Sequence, residues 1–254
     1  TVNSYNEKRW PSVSSSAEAT RPVAVIDIGS NSIRLVVYDG AKRAPIPIFN
    51  ERVLCGLGRG LDNSGKLNEE GLNLALESIR RFVLITKTMN VTDISAFATA
   101  AVREASNGSA LVQKIKYDCG LDVDVISGEK EAKLAALGVI SEVPNARGIM
   151  GDMGGASLEL ALLENGHSTK HQSLPIGPLR STNLKNKEVY KDYLSNIDWL
   201  DSAYDQTFYA VGGVWRTWAR AHMAINHYPL SIVHHYELTA QETLSFITKV
   251  EAAV

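Results

Sequence analysis

The 254-residue chain has little cysteine, no long apolar run and no excess of one charge. Each shortage excludes a class of protein. Two cysteines, Cys55 and Cys119, cannot make a disulfide framework, and no ligand spacing joins them. The expectation is two reduced thiols and a cytoplasmic protein. No apolar stretch approaches the ~20 residues that cross a bilayer, so no membrane partner is expected. The N-terminal "TVNSYNEKRWPSVSSSAEATRP" is polar and lacks the apolar core of a secretory signal. It reads as a flexible tail over 1–22. A formal net charge of −2 argues against nucleic acid as a partner and against a polybasic anchor. If the ligand is anionic, its positive field must be local. The histidines offer little: His234 and His235 are adjacent instead of one helical turn apart, and the other four show no ligand spacing, so none is assigned to a metal.

What remains is an ordinary globular composition, 44% hydrophobic and 21% charged. Within it, "VAVIDIGSNSIRLVVYDG" (Val23–Gly40) sets two β-branched strands around a short polar turn, the pattern of a hairpin. "NEEGLNLALESIRRFVLITKTMN" has apolar residues at helical spacing (Leu72, Leu76, Ile79, Val83), with Asn68 as N-cap. "ISAFATAAVREA" reads as a strand turning into a helix, and "DVDVIS" as a short strand. "EKEAKLAALGVIS" reads as a helix opened by Ser127 and Gly128.

The stretch "GIMGDMGGASLELALLENG" then repeats the first hairpin. A shift of 125 residues puts Asp27 on Asp152, Gly29 on Gly154, Ser32 on Ser157 and Leu35 on Leu160. Such an internal duplication fixes the organisation. The expectation is two related α/β halves, 23–140 and 141–254, each a sheet with flanking helices.

The turns suggest chemistry. Gly29 lets the backbone approach an anion, successive amides form an anion nest, and Ser30, Asn31 and Ser32 add side-chain donors. Gly154, Gly155 and Ser157 would do the same in the second copy. Asp27 then needs a divalent cation or ordered water between it and a phosphate; alternatively it caps the turn. Two such loops would clamp a phosphate chain across a cleft between the halves. In "YAVGGVWRTWARAHM", Gly212 and Gly213 feed a helix N-terminus, a natural anion site or a plain tight turn. Trp215 and Trp218 read as packing residues.

The ordered set "DIGSNS", "TAAVREA", "ISGEKEAKL", "GDMGGASLEL" and "VGG" resembles the exopolyphosphatase/guanosine pentaphosphatase family. That family lies in the actin/sugar-kinase/Hsp70 ATPase superfold. The resemblance implies two duplicated ribonuclease-H-like domains, each a mixed sheet with flanking helices, and an active site in the interdomain cleft. It implies hydrolysis of terminal phosphates with Mg²⁺, on inorganic polyphosphate or guanosine pentaphosphate. Glu131 matches the proposed general base and Arg103 a phosphate-binding arginine. Glu159 matches the carboxylate of the second glycine loop, and with Asp152 and Asp27 it would attend the metal. A non-catalytic alarmone sensor using the same cleft stays open, as does a homodimer.

Read from the residues alone, Glu131 could be a first-turn helix glutamate. Glu159 could be the outward residue of an alternating strand, and Arg103 could pair with Glu104. Three departures from the family pattern stand out. Lys130 replaces a frequent glutamate, where it would touch phosphate or lower the pKa of Glu131. Ala156 replaces a third glycine, where left-handed backbone would be disfavoured. Finally, the chain stops inside "TAQETLSFITKVEAAV", with no counterpart of the family's closing strand, so the second half is expected to lack its C-terminal end.

Overall fold

The computed structural model describes residues 21–42, 44–180 and 187–252. The tail expected over 1–22 lies outside these residues apart from its last two. Two mixed sheets with flanking helices make up the fold. Val23–Ile28 (β1) and Ser32–Tyr38 (β2) form the predicted antiparallel hairpin, and Pro47–Leu54 (β3) adds to β2. Asp93–Ala98 (β4) lies parallel to β1, and the two-residue Asp124–Val125 (β5) lies parallel to β4. The order is β3-β2-β1-β4-β5. Gly148–Met153 (β6), Leu158–Glu164 (β7) and His167–Leu174 (β8) repeat the antiparallel set, and Thr207–Val211 (β9) runs parallel to β6. The second order, β8-β7-β6-β9, is the first four strands of the first sheet again.

The duplication extends to single hydrogen bonds. Gly29 N–H donates to the Ser32 carbonyl at 3.0 Å, and Gly154 N–H to the Ser157 carbonyl at 2.9 Å. Asp27 pairs across the strands with Arg34, and Asp152 pairs with Glu159 at the equivalent place.

The helices that cover the first sheet follow their sequence cues. Leu61–Ser64 (α1) is a single turn between left-handed glycines. Glu69–Thr88 (α2) starts at Asn68, whose side chain accepts from Gly71 N–H. It buries Ala75, Ile79 and Phe82 in the core with Ile26, Ile33 and Leu35. Ala100–Glu104 (α3) and Gly108–Cys119 (α4) complete that layer. Among the described residues no helix is long and apolar enough to cross a membrane. Both cysteines are free thiols.

Gly128–Glu142 (α5) starts at Ser127, whose Oγ accepts from Lys130 N–H. It packs on β6, β7 and β8, with Ala136 and Val139 against Met150, Ala161 and Leu163. The division expected at 140/141 therefore falls within the last turn of a helix lying on the second sheet. The opposite face of that sheet packs Ile149, Leu158, Leu160 and Leu162 against Tyr190 and Leu194 of Lys187–Ser195 (α6). Strand β7 is thus buried on both sides, and Glu159 is only 1% exposed. That rules out Glu159 as the outward residue of an alternating strand.

Gly213–Ile225 (α7) follows β9, and Ala240–Ala252 (α8) packs beside it. The tryptophans pack as expected: Trp215 edge-on to Phe208, Trp218 edge-on to Phe246. The cap of α2 is a local feature that can be removed alone. Asn68→Ala should lower stability by about 1 kcal/mol, seen as a reduced urea midpoint with an unchanged denaturant slope.

Candidate active site

The two hairpin turns and the start of α7 meet at a cleft of about 550 Å³. Asp27, Gly29 to Ser32, Glu131, Asp152, Gly154, Gly155, Ser157, Gly212 and Gly213 all line it. The sequence-predicted residues are thus brought together, with two exceptions: Glu159 is buried next to Asp152 without lining the cleft, and Arg103 does not line it either. Arg103 lies behind Glu131: its Nη1 donates to the Ile126 carbonyl at 2.8 Å and stands 3.5 Å from Glu131 Oε2. Glu104 is not its partner.

The turns approach each other closely. A Cβ on Gly155 would lie 3.3 Å from the Asn31 amide nitrogen and 2.9 Å from Leu179. Gly212 has φ near +102°, and a Cβ there would lie 2.6 Å from Asp152 Oδ1, so a side chain is excluded twice over. Ala156 needs no left-handed backbone, since its φ is not positive; the expected disturbance of that turn is absent.

Much of the polar inventory is committed to holding the turns. Ser30 is buried and its Oγ accepts from Ala101 N–H. The Asn31 carbonyl takes Cys55 and Gly56 N–H, and the Ser30 carbonyl takes Gly58 N–H. Ser32 Oγ accepts from Arg52 Nε at 2.8 Å. The first turn is closed by its own backbone, so Asp27 is not needed as its cap.

Sheet register explains which side chains gather. Cross-strand partners point to the same face. In the first sheet the row reads Arg52, Arg34, Asp27. In the second the same row reads Ser173, Glu159, Asp152. Arg34, Arg52 and Arg216, the last in the first turn of α7, line the cleft beside the carboxylates. Sequence reasoning missed these arginines. The signal was present: Arg34 occupies in the first copy the place of Glu159 in the second.

Burial and mutual repulsion hold the acids' protons tightly. Asp27 touches cleft water but lies deep among protein atoms, and its pKa rises to about 6 through desolvation and the Asp152 charge, against Arg34 and Arg52. Burial also raises Asp152, opposed by Arg216. Glu159 is raised chiefly by burial, although Ser157 and Ser173 hydroxyls donate to it, the latter at 2.8 Å. Glu131 is raised by burial and then by Glu159, with Arg103 opposing. Lys130 has no part in this. Successive helical residues point about 100° apart, and Lys130 reaches outward to Asp124 at 2.6 Å. Neither expected role for Lys130 is met.

Glu131 Oε2 is buried without a hydrogen-bond partner. Its ion-pair neighbour is Arg103 Nη1 at 3.5 Å, and a carboxylate oxygen is a hard donor of the kind that a divalent cation or its water takes. Asp27, Asp152 and Glu159 are not drawn together within 4.8 Å of one another. Among the described residues the only trio so close is Glu142, His234 and His235, all exposed. The cleft acids therefore fit a hydrated divalent cation held through water better than a directly ligated one.

Residues 36–253 match the Ppx/GppA phosphatase family. The chain is 29% identical over 186 residues to "Exopolyphosphatase 1" of Mycobacterium tuberculosis, covering 71% of this chain and 54% of that one. The Mycobacterium leprae protein of the same name is 30% identical over 186 residues, covering 71% and 55%. The chain thus spans about half the length of these curated relatives. Among solved structures, an exopolyphosphatase from Cytophaga hutchinsonii superposes with a TM-score of 0.79 at 25% identity, covering 91% of this chain and 80% of that one. The Aquifex aeolicus PPX-GPPA enzyme superposes with a TM-score of 0.67 at 26% identity, covering 83% and 73%.

The raised carboxylates make stability pH-dependent. A carboxyl whose folded pKa lies above its unfolded value gives stability below the unfolded pKa, and that stability is lost as pH rises through the folded one. Glu159→Gln keeps the acceptor for Ser173 and removes the charge. In metal-free buffer it should melt about 3 °C or more above the parent at pH 8.5 and level with it at pH 4. Thermal scans at both pH values test this.

Proposed function

Because the chain belongs to the Ppx/GppA phosphatase family, we propose that it is an exopolyphosphatase, releasing terminal orthophosphate from inorganic polyphosphate. The observation that carries this reading is the shared cleft of three arginines and three carboxyl groups around two glycine turns, with Glu159 buried next to Asp152. The arginines supply the local positive field that a chain of net charge −2 needs for an anionic substrate. Arg220, one helical turn beyond Arg216, extends the same field. Among the described residues none that lines the cleft is aromatic, and its three guanidinium groups suit a run of phosphates, so the phosphate chain is the reading preferred over guanosine pentaphosphate.

In this reading the amides of Gly29 to Ser32 and of Gly154 to Ser157 grip the terminal phosphates, and the start of α7 at Gly212 and Gly213 receives the next. Arg34, Arg52 and Arg216 neutralise the chain's oxygens and fix its direction. Glu131 orients a water for in-line attack on the terminal phosphorus and accepts its proton on the carboxylate. Arg103, pinned on the Ile126 carbonyl, holds that carboxylate in place. Asp27, Asp152 and Glu159 would hold a hydrated Mg²⁺, which when bound would supply charge neutralisation for the phosphate oxygens. The free thiols of Cys55 and Cys119 fit a cytoplasmic setting.

Phosphate release from polyphosphate and from guanosine pentaphosphate, with and without Mg²⁺, tests the assignment. The expected result is Mg²⁺-dependent release from polyphosphate, with Glu131→Gln at least ~100-fold slower. Release from guanosine pentaphosphate alone, or tight binding without release, would overturn it. The pH profile adds a second check. Glu131 must be ionised to act as base and its pKa is raised, so kcat/KM should climb with pH through neutrality, with apparent values belonging to the coupled carboxyl pair. Arg52→Met should raise KM for polyphosphate roughly tenfold and leave kcat nearly unchanged.

A further inference from the structure

Arg180 follows β8 and sits at the back of the cleft, with its side chain 16% exposed. All three guanidinium nitrogens are engaged. Nε donates to the Ala156 carbonyl at 2.6 Å, inside the second glycine turn. Nη2 grips both carboxylate oxygens of Glu104, at 2.7 and 2.6 Å, and Nη1 reaches Asp62 at 3.2 Å. The first contact belongs to the second sheet's hairpin; the other two belong to α3 and α1 of the first half.

Those partners lie directly behind the catalytic parts. Glu104 is the neighbour of Arg103, which holds Glu131. Asp62 follows the loop whose Cys55, Gly56 and Gly58 amides hold the Asn31 and Ser30 carbonyls. On the other side, Gly177 N–H and Leu179 N–H donate to the Ala156 and Gly155 carbonyls, so the segment carrying Arg180 is clipped onto the second turn. A planar fork with fixed donor directions can span such a set, and a lysine cannot. The guanidinium is mostly covered at 16% exposure, while its acidic partners keep contact with solvent at 28% for Asp62 and 37% for Glu104.

We propose that Arg180 is a positioning residue that straps the two glycine turns together and sets the gap between them, and so the grip on a phosphate chain. It touches no reacting atom. The proposal rests on the reading of the cleft as a phosphate-chain site, so its test needs a readout independent of turnover. Spin labels placed by Tyr117→Cys and Tyr204→Cys, both exposed positions on opposite halves, with Cys119→Ser, report the distance between the halves. The parent should give one narrow distribution. Arg180→Met and Glu104→Gln should each broaden or shift it, and Arg180→Lys should not restore it. In parallel, KM for polyphosphate should rise about tenfold in each variant, with kcat changed less than about threefold. The double variant should be no worse than Arg180→Met alone, because that variant already breaks the Glu104 pair along with the Ala156 and Asp62 contacts. An unchanged distance distribution, or fully additive losses, would overturn the strap. If the parent itself releases no phosphate from polyphosphate, the proposed activity fails, and the distances alone decide on Arg180.

Discussion

Asp27, Asp152 and Glu131 line one cleft with Glu159 buried next to Asp152, and the rest of the structure is arranged around the repulsion among these four carboxyl groups. Desolvation raises the proton affinity of all four, and neighbouring carboxylates add to it for Asp27, Glu159 and Glu131. A fold would not gather them for stability, since each ionised neighbour weakens the native state. The surroundings compensate in part: arginines beside the first turn, serine hydroxyls on Glu159, Arg103 behind Glu131. The residue of the imbalance is an appetite for positive charge at one place.

The duplicated halves meet this constraint asymmetrically. The same cross-strand row carries Arg52, Arg34 and Asp27 in one sheet and Ser173, Glu159 and Asp152 in the other. Backbone geometry is conserved between the copies down to the closing turn hydrogen bond, while charge at the equivalent place is inverted from Arg34 to Glu159. The same row is therefore mostly arginine in one copy and mostly carboxylate in the other. A duplicated scaffold thus yields a directional cleft without any change of fold.

The hairpins, the capped helix from Asn68 and the repeat at 125 residues were legible because they rest on local rules: alternation, capping, turn chemistry. The meeting of the two turns was legible only through the repeat. Arg52 and Arg180 were not legible, because their roles depend on sheet register and on contacts between segments far apart in sequence. Lys130 was misread for a different reason. Adjacency in sequence suggested adjacency to Glu131, and a helix sends neighbouring side chains in different directions. Arg103, expected at the substrate phosphate, stands beside Glu131 and does not line the cleft, a matter of depth that no motif encodes.

Helix α5 carries Glu131, yet it packs on β6, β7 and β8, all of which follow it in the chain. A polypeptide is made from its N-terminus, so α5 leaves the ribosome before its supporting strands exist. The first sheet already has all five of its strands by then. The helix waits, with only its small alanine face to bury, until the chain has been synthesised past Leu174. Its carboxylate thus takes up its final address late in biogenesis, and a nascent chain shorter than that holds the first turn and the arginine pair without the partner that would make them reactive.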